Sequence, residues 1–215
     1  KAYLAQIQKG AGSSGLAFLA NSVGTGASAG YVTALVWNGS THAHLSFDGS
    51  IDDGEWHHIA FTTTSSAQVL YFDGQSVDTD TIAFTNAFDS NPVVIGARGG
   101  SAEHFDGLID EFAIWDTVLS SDDVAKIYKK PVDLSKPSKY ATDRTGNLKL
   151  WLRAGDKVLP ENDTAIARQD FYTDFDGTDD YVSVADDDVL SFGSGSSDSP
   201  FSISAWINPV DVTGF

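Results

Sequence analysis

Short stretches in which apolar residues alternate with small or polar ones recur along most of the chain. The segment 201–207, with the sequence FSISAWI, is a clear case. A period of two places successive side chains on opposite faces of a strand, so this pattern predicts half-buried β-strands. The predicted strands are 1–8, 15–20, 31–37, 43–47, 56–63, 67–72, 93–97, 108–115, 148–153, 180–184 and 201–207. Many short strands at this spacing are typical of a β-sandwich or a barrel.

The tripeptide Phe-Asp-Gly occurs four times, at residues 47–49, 72–74, 105–107 and 175–177. The spacing between the copies is irregular, so they indicate a recurrent turn at strand ends and not a sequence repeat. Asp-Gly tolerates positive φ angles, and the preceding Phe can anchor the turn to the core.

One helix interrupts the strand pattern, at about 119–128. Ser120 is placed to cap its first turn, and Asp123 follows three residues later as the partner in a capping box. Three apolar residues then share one face of the helix: Val124, Ile127 and Tyr128. The segment 131–147 is rich in Lys, Pro, Ser and Thr, and it predicts a linker whose basic residues are solvated.

Length and composition fit one large all-β domain with a substantial core. Of the 215 residues, 41% are hydrophobic and only 20% are charged, which excludes a disordered chain. The chain has no Cys, which excludes disulfides, thiolate metal sites and cysteine nucleophiles. A net charge of −17 argues against nucleic acid and anionic membranes as partners and favours divalent cations. No apolar run approaches the length of a membrane span, so we expect no membrane insertion.

Several motifs together resemble the laminin-G-like, or concanavalin-A-like, jelly-roll superfamily, including its pentraxin-type branch. The motifs are DGEWHHIA at 53–60, YFDG at 71–74, IG at 95–96, FDGLIDEFAIW at 105–115, FDGTDDYV at 175–182 and FSISAWI at 201–207. The resemblance implies an all-β fold: an antiparallel β-sandwich jelly roll with one short helix.

The order of these motifs differs from the order found in the family. Strands that come late in the family occupy 1–130, a linker follows at 131–147, and the family's opening strands occupy 148–215. Together the two parts amount to about one domain, closed within the chain or by strand complementation between chains. Met is absent, even at position 1, so we expect the sequence to come from a longer tandem protein or a circular permutant.

Acidic residues are the best candidates for a metal site: Asp110, Asp176, Asp179 and Asp180. Carboxylate oxygens suit calcium, and the resemblance implies a structural calcium ion. Asp110 is in register with Phe112 and Ile114, so a strand that turns those residues to the core would also turn this charge inward, where it needs a partner. The alternative is that the acidic residues cap turns and shape a tight loop.

Histidines and adjacent acids suggest two further kinds of site. His42 and His44 lie on one strand face, so a zinc site is conceivable, although ordinary polar strand positions are the simpler explanation. Hydrolases that share the jelly roll place two acids on alternate strand positions, whereas Asp110 and Glu111 are adjacent. We therefore predict that the protein is not an enzyme.

These observations favour a non-catalytic binding or adhesion module in an extracellular, cell-surface or virion-surface protein. The resemblance implies a glycan or a surface protein as the ligand, held by loops at the rim of the sandwich. Two other hypotheses stay open: a structural repeat that forms head-to-tail filaments with neighbouring copies of itself, and, less favoured, a glycoside hydrolase.

Overall fold

The described residues form thirteen strands and one α-helix. The computed structural model describes residues 2–8, 14–20, 32–38, 42–49, 51–81, 92–129, 133–153, 172–185, 187–190, 192 and 199–210. Residues 1 and 31 of two predicted strands and 131–132 of the predicted linker lie outside the described residues, as do 154–171, 186, 191, 193–198 and 211–215 of the segment assigned to the opening strands. The strands are β1 (Ala2–Gln8), β2 (Ser14–Ala20), β3 (Val32–Asn38), β4 (His42–Phe47), β5 (His57–Thr63), β6 (Gln68–Phe72), β7 (Gln75–Asp80), β8 (Val93–Ile95), β9 (Asp106–Trp115), β10 (Leu148–Leu152), β11 (Thr173–Asp176), β12 (Val182–Val184) and β13 (Phe201–Pro209). The helix is α1 (Ser121–Tyr128). Short 3₁₀ turns lie at Pro137–Lys139, Thr145–Asn147 and Asp188–Leu190.

These strands build two antiparallel sheets that pack against each other. The first sheet has the order β12-β8-β1-β2-β3-β4. The second sheet has the order β10-β9-β13-β5-β6-β7, and β11 pairs with β9 beside this path. The antiparallel β-sandwich predicted from the sequence is therefore confirmed.

Strand β13 lies in the middle of the second sheet. On one side it pairs with β5, from Phe201 opposite Thr63 to Ile207 opposite His57. On its other side it pairs with β9. Strands β11 and β12 likewise pair with β9 and β8. Strands from the N-terminal part of the chain (β1 to β9) and from its C-terminal part (β10 to β13) therefore lie together in both sheets.

The inner faces of the two sheets supply one continuous hydrophobic core. Aromatic rings from distant parts of the chain meet there. The Phe18 and Phe61 rings pack edge to face with their centroids 6.2 Å apart, and Phe192 stacks on Phe201 with the centroids 5.0 Å apart. Such ring pairs add to the stability gained by burial. The residues of β13 in this core are those that the alternation predicts: Phe201, Ile203, Ala205 and Ile207.

Helix α1 begins at the predicted cap. The Ser120 hydroxyl oxygen accepts a hydrogen bond from the Asp123 backbone N–H at 3.1 Å, and the Asp123 carboxylate accepts one from the Ser120 backbone N–H at 3.0 Å. This capping box satisfies N–H groups that the start of a helix leaves unpaired. Val124 and Ile127 are buried against the outer face of the second sheet. Within the described part of the chain, no helix combines the length and apolarity needed to cross a bilayer.

The described part of the predicted linker packs on the same sheet face. Leu134 and Tyr140 are buried there. The Tyr140 hydroxyl accepts a hydrogen bond from the Trp115 indole N–H at 3.2 Å and donates one to the Leu134 carbonyl at 2.8 Å. The Lys126 ammonium group donates to the Tyr140 carbonyl at 2.9 Å. Residues 133–147 therefore form a cover that Leu134 and Tyr140 anchor to the sheet, while most of its other residues are exposed.

Asp123 joins this cover to the helix. Its side chain is fully buried, and its carboxylate also accepts hydrogen bonds from the backbone N–H groups of Ala141 at 2.6 Å and Thr142 at 3.2 Å. The Arg144 side chain lies 3.4 Å from the same carboxylate. Burial raises the pKa of Asp123, but the hydrogen bonds from Ser120, Ala141 and Thr142 outweigh burial, so the pKa lies below its ordinary value.

Replacing Asp123 by Ala should lower the free energy of unfolding by about 1–3 kcal/mol, because the N–H groups of Ser120, Ala141 and Thr142 lose their acceptor and Arg144 loses its counter-ion. The matched control is Asp122→Ala, which removes the exposed neighbouring carboxylate and should change stability by less than about 0.5 kcal/mol. Urea unfolding followed by tryptophan fluorescence measures both variants. Equal losses in the two variants would contradict the role of Asp123.

His58 is buried where α1 meets β13. Its ring lies 5.4 Å from the Trp206 ring and 6.1 Å from the Tyr128 ring, and those two rings stack at 5.5 Å. Neither ring nitrogen of His58 has a hydrogen-bond partner among the described residues. Burial lowers the pKa of His58 to about 4, although the nearby charge of Asp73 acts in the opposite direction. At neutral pH His58 is therefore an uncharged ring packed among aromatic rings.

Acidification should destabilise the domain through His58. An unfolded chain binds a proton on His near pH 6.5, whereas the folded domain binds it only near pH 4, so the unfolded state holds more protons between these values. This contribution to stability is complete above about pH 6.5 and falls by about 3 kcal/mol as the pH reaches 4. The measurement is the free energy of unfolding from about pH 7.5 to about pH 4. It should fall less steeply with decreasing pH in His58→Phe than in the unchanged protein, because the variant lacks the His58 contribution. Parallel curves for the two proteins would rule this contribution out.

Candidate metal centre at the sandwich rim

Three carboxylates lie close together where β11 ends and the turn to β12 begins. Side-chain oxygens of Asp176, Asp179 and Asp180 lie within 4.8 Å of one another, and all three residues are exposed. The Asp180 carboxylate accepts a hydrogen bond from the Asp176 backbone N–H at 3.2 Å, and the Asp176 carboxylate accepts one from the Thr178 N–H at 2.8 Å. Gly177 allows the tight turn because its φ is 74°. The structure therefore brings together three of the four predicted metal ligands.

A further carboxylate, which the sequence analysis did not single out, lies at the same end of the sheet. Asp106 begins β9 and is directly opposite Asp176 in the ladder between β9 and β11. This pairing sets two copies of Phe-Asp-Gly against each other, with Gly107 opposite Phe175. Like charges at directly opposed positions destabilise a strand pair, so a bound cation would relieve the repulsion. The repeated tripeptide is therefore the feature of the sequence that could have pointed to Asp106 as well as Asp176.

Asp110, the fourth predicted ligand, lies apart from the other three. It is four residues beyond Asp106 on β9, which corresponds to about 13 Å of strand. Glu111 has a φ of 52°, and the register between β9 and β13 shifts here, so a β-bulge interrupts the alternation. As a result, Ile109 and Phe112 both lie in the core. Asp110 was expected to point inward because it alternates with Phe112. The bulge lies between these two residues, so that expectation does not hold.

The neighbouring acid, Glu111, links two strands. It is buried, and its carboxylate accepts a hydrogen bond from the Trp151 indole N–H. The Arg153 guanidinium lies over the Trp151 ring at 4.4 Å and approaches the Glu111 carboxylate at 3.8 Å. These contacts attach the edge strand β10 to β9, so the Glu111 carboxylate has a structural role.

An aromatic side chain and a histidine flank the three carboxylates. Tyr181 follows Asp180 directly and is 48% exposed. Its ring lies so close to Gly100 that a Cβ atom at that glycine would be 2.9 Å from it. The His104 Nδ1 atom lies 3.3 Å from the Asp180 carbonyl oxygen. An exposed ring beside convergent polar groups is a common feature of ligand sites.

The two histidines considered for zinc lie elsewhere, on the edge strand β4 of the first sheet. His42 is exposed and His44 is half-buried. Burial, and secondly the neighbouring His42, lower the pKa of His44.

Comparison with known proteins places the chain in a family. Residues 4–125 match the family described as the Concanavalin A-like lectin/glucanases superfamily. The chain therefore belongs to this family, and the resemblance found in its motifs is confirmed. Domains of the laminin-G-like and pentraxin-like kinds are typically non-enzymatic binding modules and are usually extracellular.

Two relatives carry the same name, Sushi, von Willebrand factor type A, EGF and pentraxin domain-containing protein 1. The Rattus norvegicus protein is 32% identical over 114 residues, which cover 47% of this chain and 3% of that protein. The Mus musculus protein gives the same identity and the same coverage. The chain thus spans only a small part of the length of these relatives. No solved structure matches the chain.

Proposed function

We propose that this domain is a non-catalytic, calcium-dependent binding module whose ligand is held at the rim formed by Asp176, Asp179 and Asp180. The observation that carries this proposal is the grouping of three exposed carboxylates within 4.8 Å of one another. The pairing of Asp106 with Asp176 adds a fourth carboxylate at the same end of the sheet. Such a concentration of negative charge is relieved by a divalent cation.

Calcium suits these residues better than a transition metal does. It takes six to eight oxygen ligands, and carboxylates are its usual protein ligands. Three side chains supply only part of that shell, so backbone carbonyls, water and oxygens of a ligand complete it. The net charge of −17 also raises the local concentration of divalent cations.

The open positions around such an ion offer a means of binding a glycan. Neighbouring sugar hydroxyls are hard oxygen ligands, and the apolar face of a sugar ring can rest on the exposed ring of Tyr181. A carboxylate of a surface protein can occupy the same positions. We therefore propose an adhesion role in an extracellular, cell-surface or virion-surface protein.

Calcium should raise both the stability and the ligand binding of the domain. At a calcium concentration about one hundred times Kd, binding to the folded state adds about 2.7 kcal/mol, which corresponds to a rise in Tm of about 5–10 °C. On a glycan array, the calcium-loaded domain should bind a defined set of glycans, and a chelator should remove this signal. Differential scanning fluorimetry and the array measure the two effects.

Two matched variants separate the ion from general charge effects. Asp179→Asn should abolish most of the rise in Tm and the array signal. Asp174→Asn removes an exposed carboxylate from β11, close in sequence to the three, and should change neither. A Tm that does not respond to calcium would contradict the site. A calcium-dependent Tm without array binding would exclude the glycan and favour a protein ligand, whereas hydrolysis of a β-glucan would contradict a non-catalytic role.

A second candidate function is assembly with neighbouring copies. Strand β13 is held by ladders on both of its edges, and β13 of another copy can form the same main-chain hydrogen bonds. The Val210 N–H donates to the Asp106 carbonyl at 3.2 Å, and the Tyr3 N–H donates to the Glu103 carbonyl at 3.0 Å. The end of β13 and the start of β1 therefore attach to one short segment. This closeness is what a circularly permuted strand order requires, because its two ends must lie near enough to be joined.

Sedimentation velocity across a hundredfold range of protein concentration distinguishes a binding module from a polymer. If β13 closes its own sheet, we expect one compact monomer at every concentration, because the slot between β5 and β9 is filled. Growth of the sedimentation coefficient with concentration would instead support strand exchange between copies. The same measurement on a variant with Ile203→Glu tests the slot, since a buried charge there should weaken closure and exchange alike.

A further inference from the structure

A pair of histidines lies on one face of the edge strand β4. His42 and His44 are two residues apart on this strand, so their side chains lie on the same face. The ring centroids are 6.4 Å apart, and the ring planes are within 22° of parallel. Two imidazole rings are thus held side by side at a partly exposed position.

We propose that His42 and His44 chelate a divalent transition metal ion of the class Zn²⁺, Cu²⁺ or Ni²⁺. Imidazole nitrogen suits these metals, whereas calcium prefers the oxygen ligands of the acidic rim. A metal bound at about 2.0–2.1 Å from each nitrogen, at square or tetrahedral angles, places the two ring centroids roughly 4.5–5 Å apart. The observed separation is 6.4 Å and the ring planes are nearly parallel, so both rings must turn about their side-chain torsions to direct one nitrogen each at a common ion.

The surroundings of the pair are compatible with this chemistry. The Nδ1 atom of His44 is shielded from solvent and has no hydrogen-bond partner among the described residues. A buried polar atom without a partner calls for an explanation, and a bound ion is one. Across the ladder, Trp37 is opposite His42 and Leu35 is opposite His44, so β3 brings no charge beside the pair, whereas β7 places the Asp78 carboxylate on the Ser46 N–H of β4.

The position of the pair leaves room for further ligands. Two imidazoles fill only part of the coordination shell of these metals. Strand β4 ends its sheet beside β7, whose Asp78 carboxylate accepts a hydrogen bond from the Ser46 N–H at 2.9 Å, and His42 remains exposed. Because His42 is exposed, water can take the other positions.

The test is Cu²⁺ binding to the chain without a histidine tag, measured by calorimetry and by electron paramagnetic resonance. The expected result is one tightly bound Cu²⁺ per chain with ligand hyperfine splitting from two nitrogens, and weaker binding of Zn²⁺ to the same site, since Cu²⁺ precedes Zn²⁺ in affinity. His42→Gln should weaken binding by at least about tenfold, because changes even outside the ligand shell cost 10–100-fold in metal affinity. His104→Gln is the matched control, since it removes a histidine near the acidic rim, and it should leave the affinity unchanged.

Three results would overturn the proposal. They are a copper spectrum without nitrogen splitting, equal affinities for His42→Gln and His104→Gln, and a loss of copper binding in Asp179→Asn with retention in His42→Gln. His42 is exposed, so its variant should keep the metal-free Tm, which verifies that it is folded. His44→Gln provides a second variant, which should weaken binding as His42→Gln does.

Discussion

A strand with neighbours on both sides must satisfy two ladders of hydrogen bonds at once, and β13 does so between β5 and β9. Its inward side chains supply part of the core, and Trp206 on the same strand packs with His58 and Tyr128 beneath the helix. Without β13, both neighbouring strands would present unpaired N–H and C=O groups to solvent. The core and the packing under α1 therefore depend on the same nine-residue strand.

The outer face of the second sheet shows how local and distant interactions combine. The capping box of α1 is local, because Ser120 and Asp123 are three residues apart. The same Asp123 carboxylate also binds Ala141 and Thr142, which lie beyond the helix. A single buried charge thus fixes the start of the helix and the cover that follows it. Such a charge is tolerated because several donors surround it.

Much of the fold follows from local sequence patterns, and the exceptions have identifiable causes. Alternation predicts β13 correctly because one of its faces lies in the core. It misses β7 (Gln75–Asp80), whose side chains are mostly exposed, so that no apolar period marks this strand. It also fails at Glu111, because a bulge is a feature of strand pairing and leaves no local signal. Leu134 and Tyr140 are isolated apolar residues in a polar segment, and only packing makes them part of a core.

The grouping of acidic residues at the rim can likewise be predicted only in part from local sequence. Asp176, Asp179 and Asp180 lie within five residues of sequence, so their proximity follows from one turn. Asp106 joins them only through the register of β9 with β11, which no local pattern specifies. In that register, two copies of the repeated Phe-Asp-Gly become partners across the ladder, which places their two Asp residues opposite each other.

The rim and the central strand are physically connected, and this connection bears on how the domain works. Pro209 at the end of β13 is opposite Gly107, and the Val210 N–H donates to the Asp106 carbonyl. The backbone of Asp106 thus lies between β13 on one side and the acidic turn on the other. Repulsion between the opposed Asp106 and Asp176 would act on the strand that β13 must pair with, and the proposed calcium ion, by removing it, would favour the closed sheet. Because linkage is reciprocal, a closed sheet in turn favours the cation. We therefore expect occupation of the proposed calcium site and closure of the sandwich by β13 to be coupled through β9.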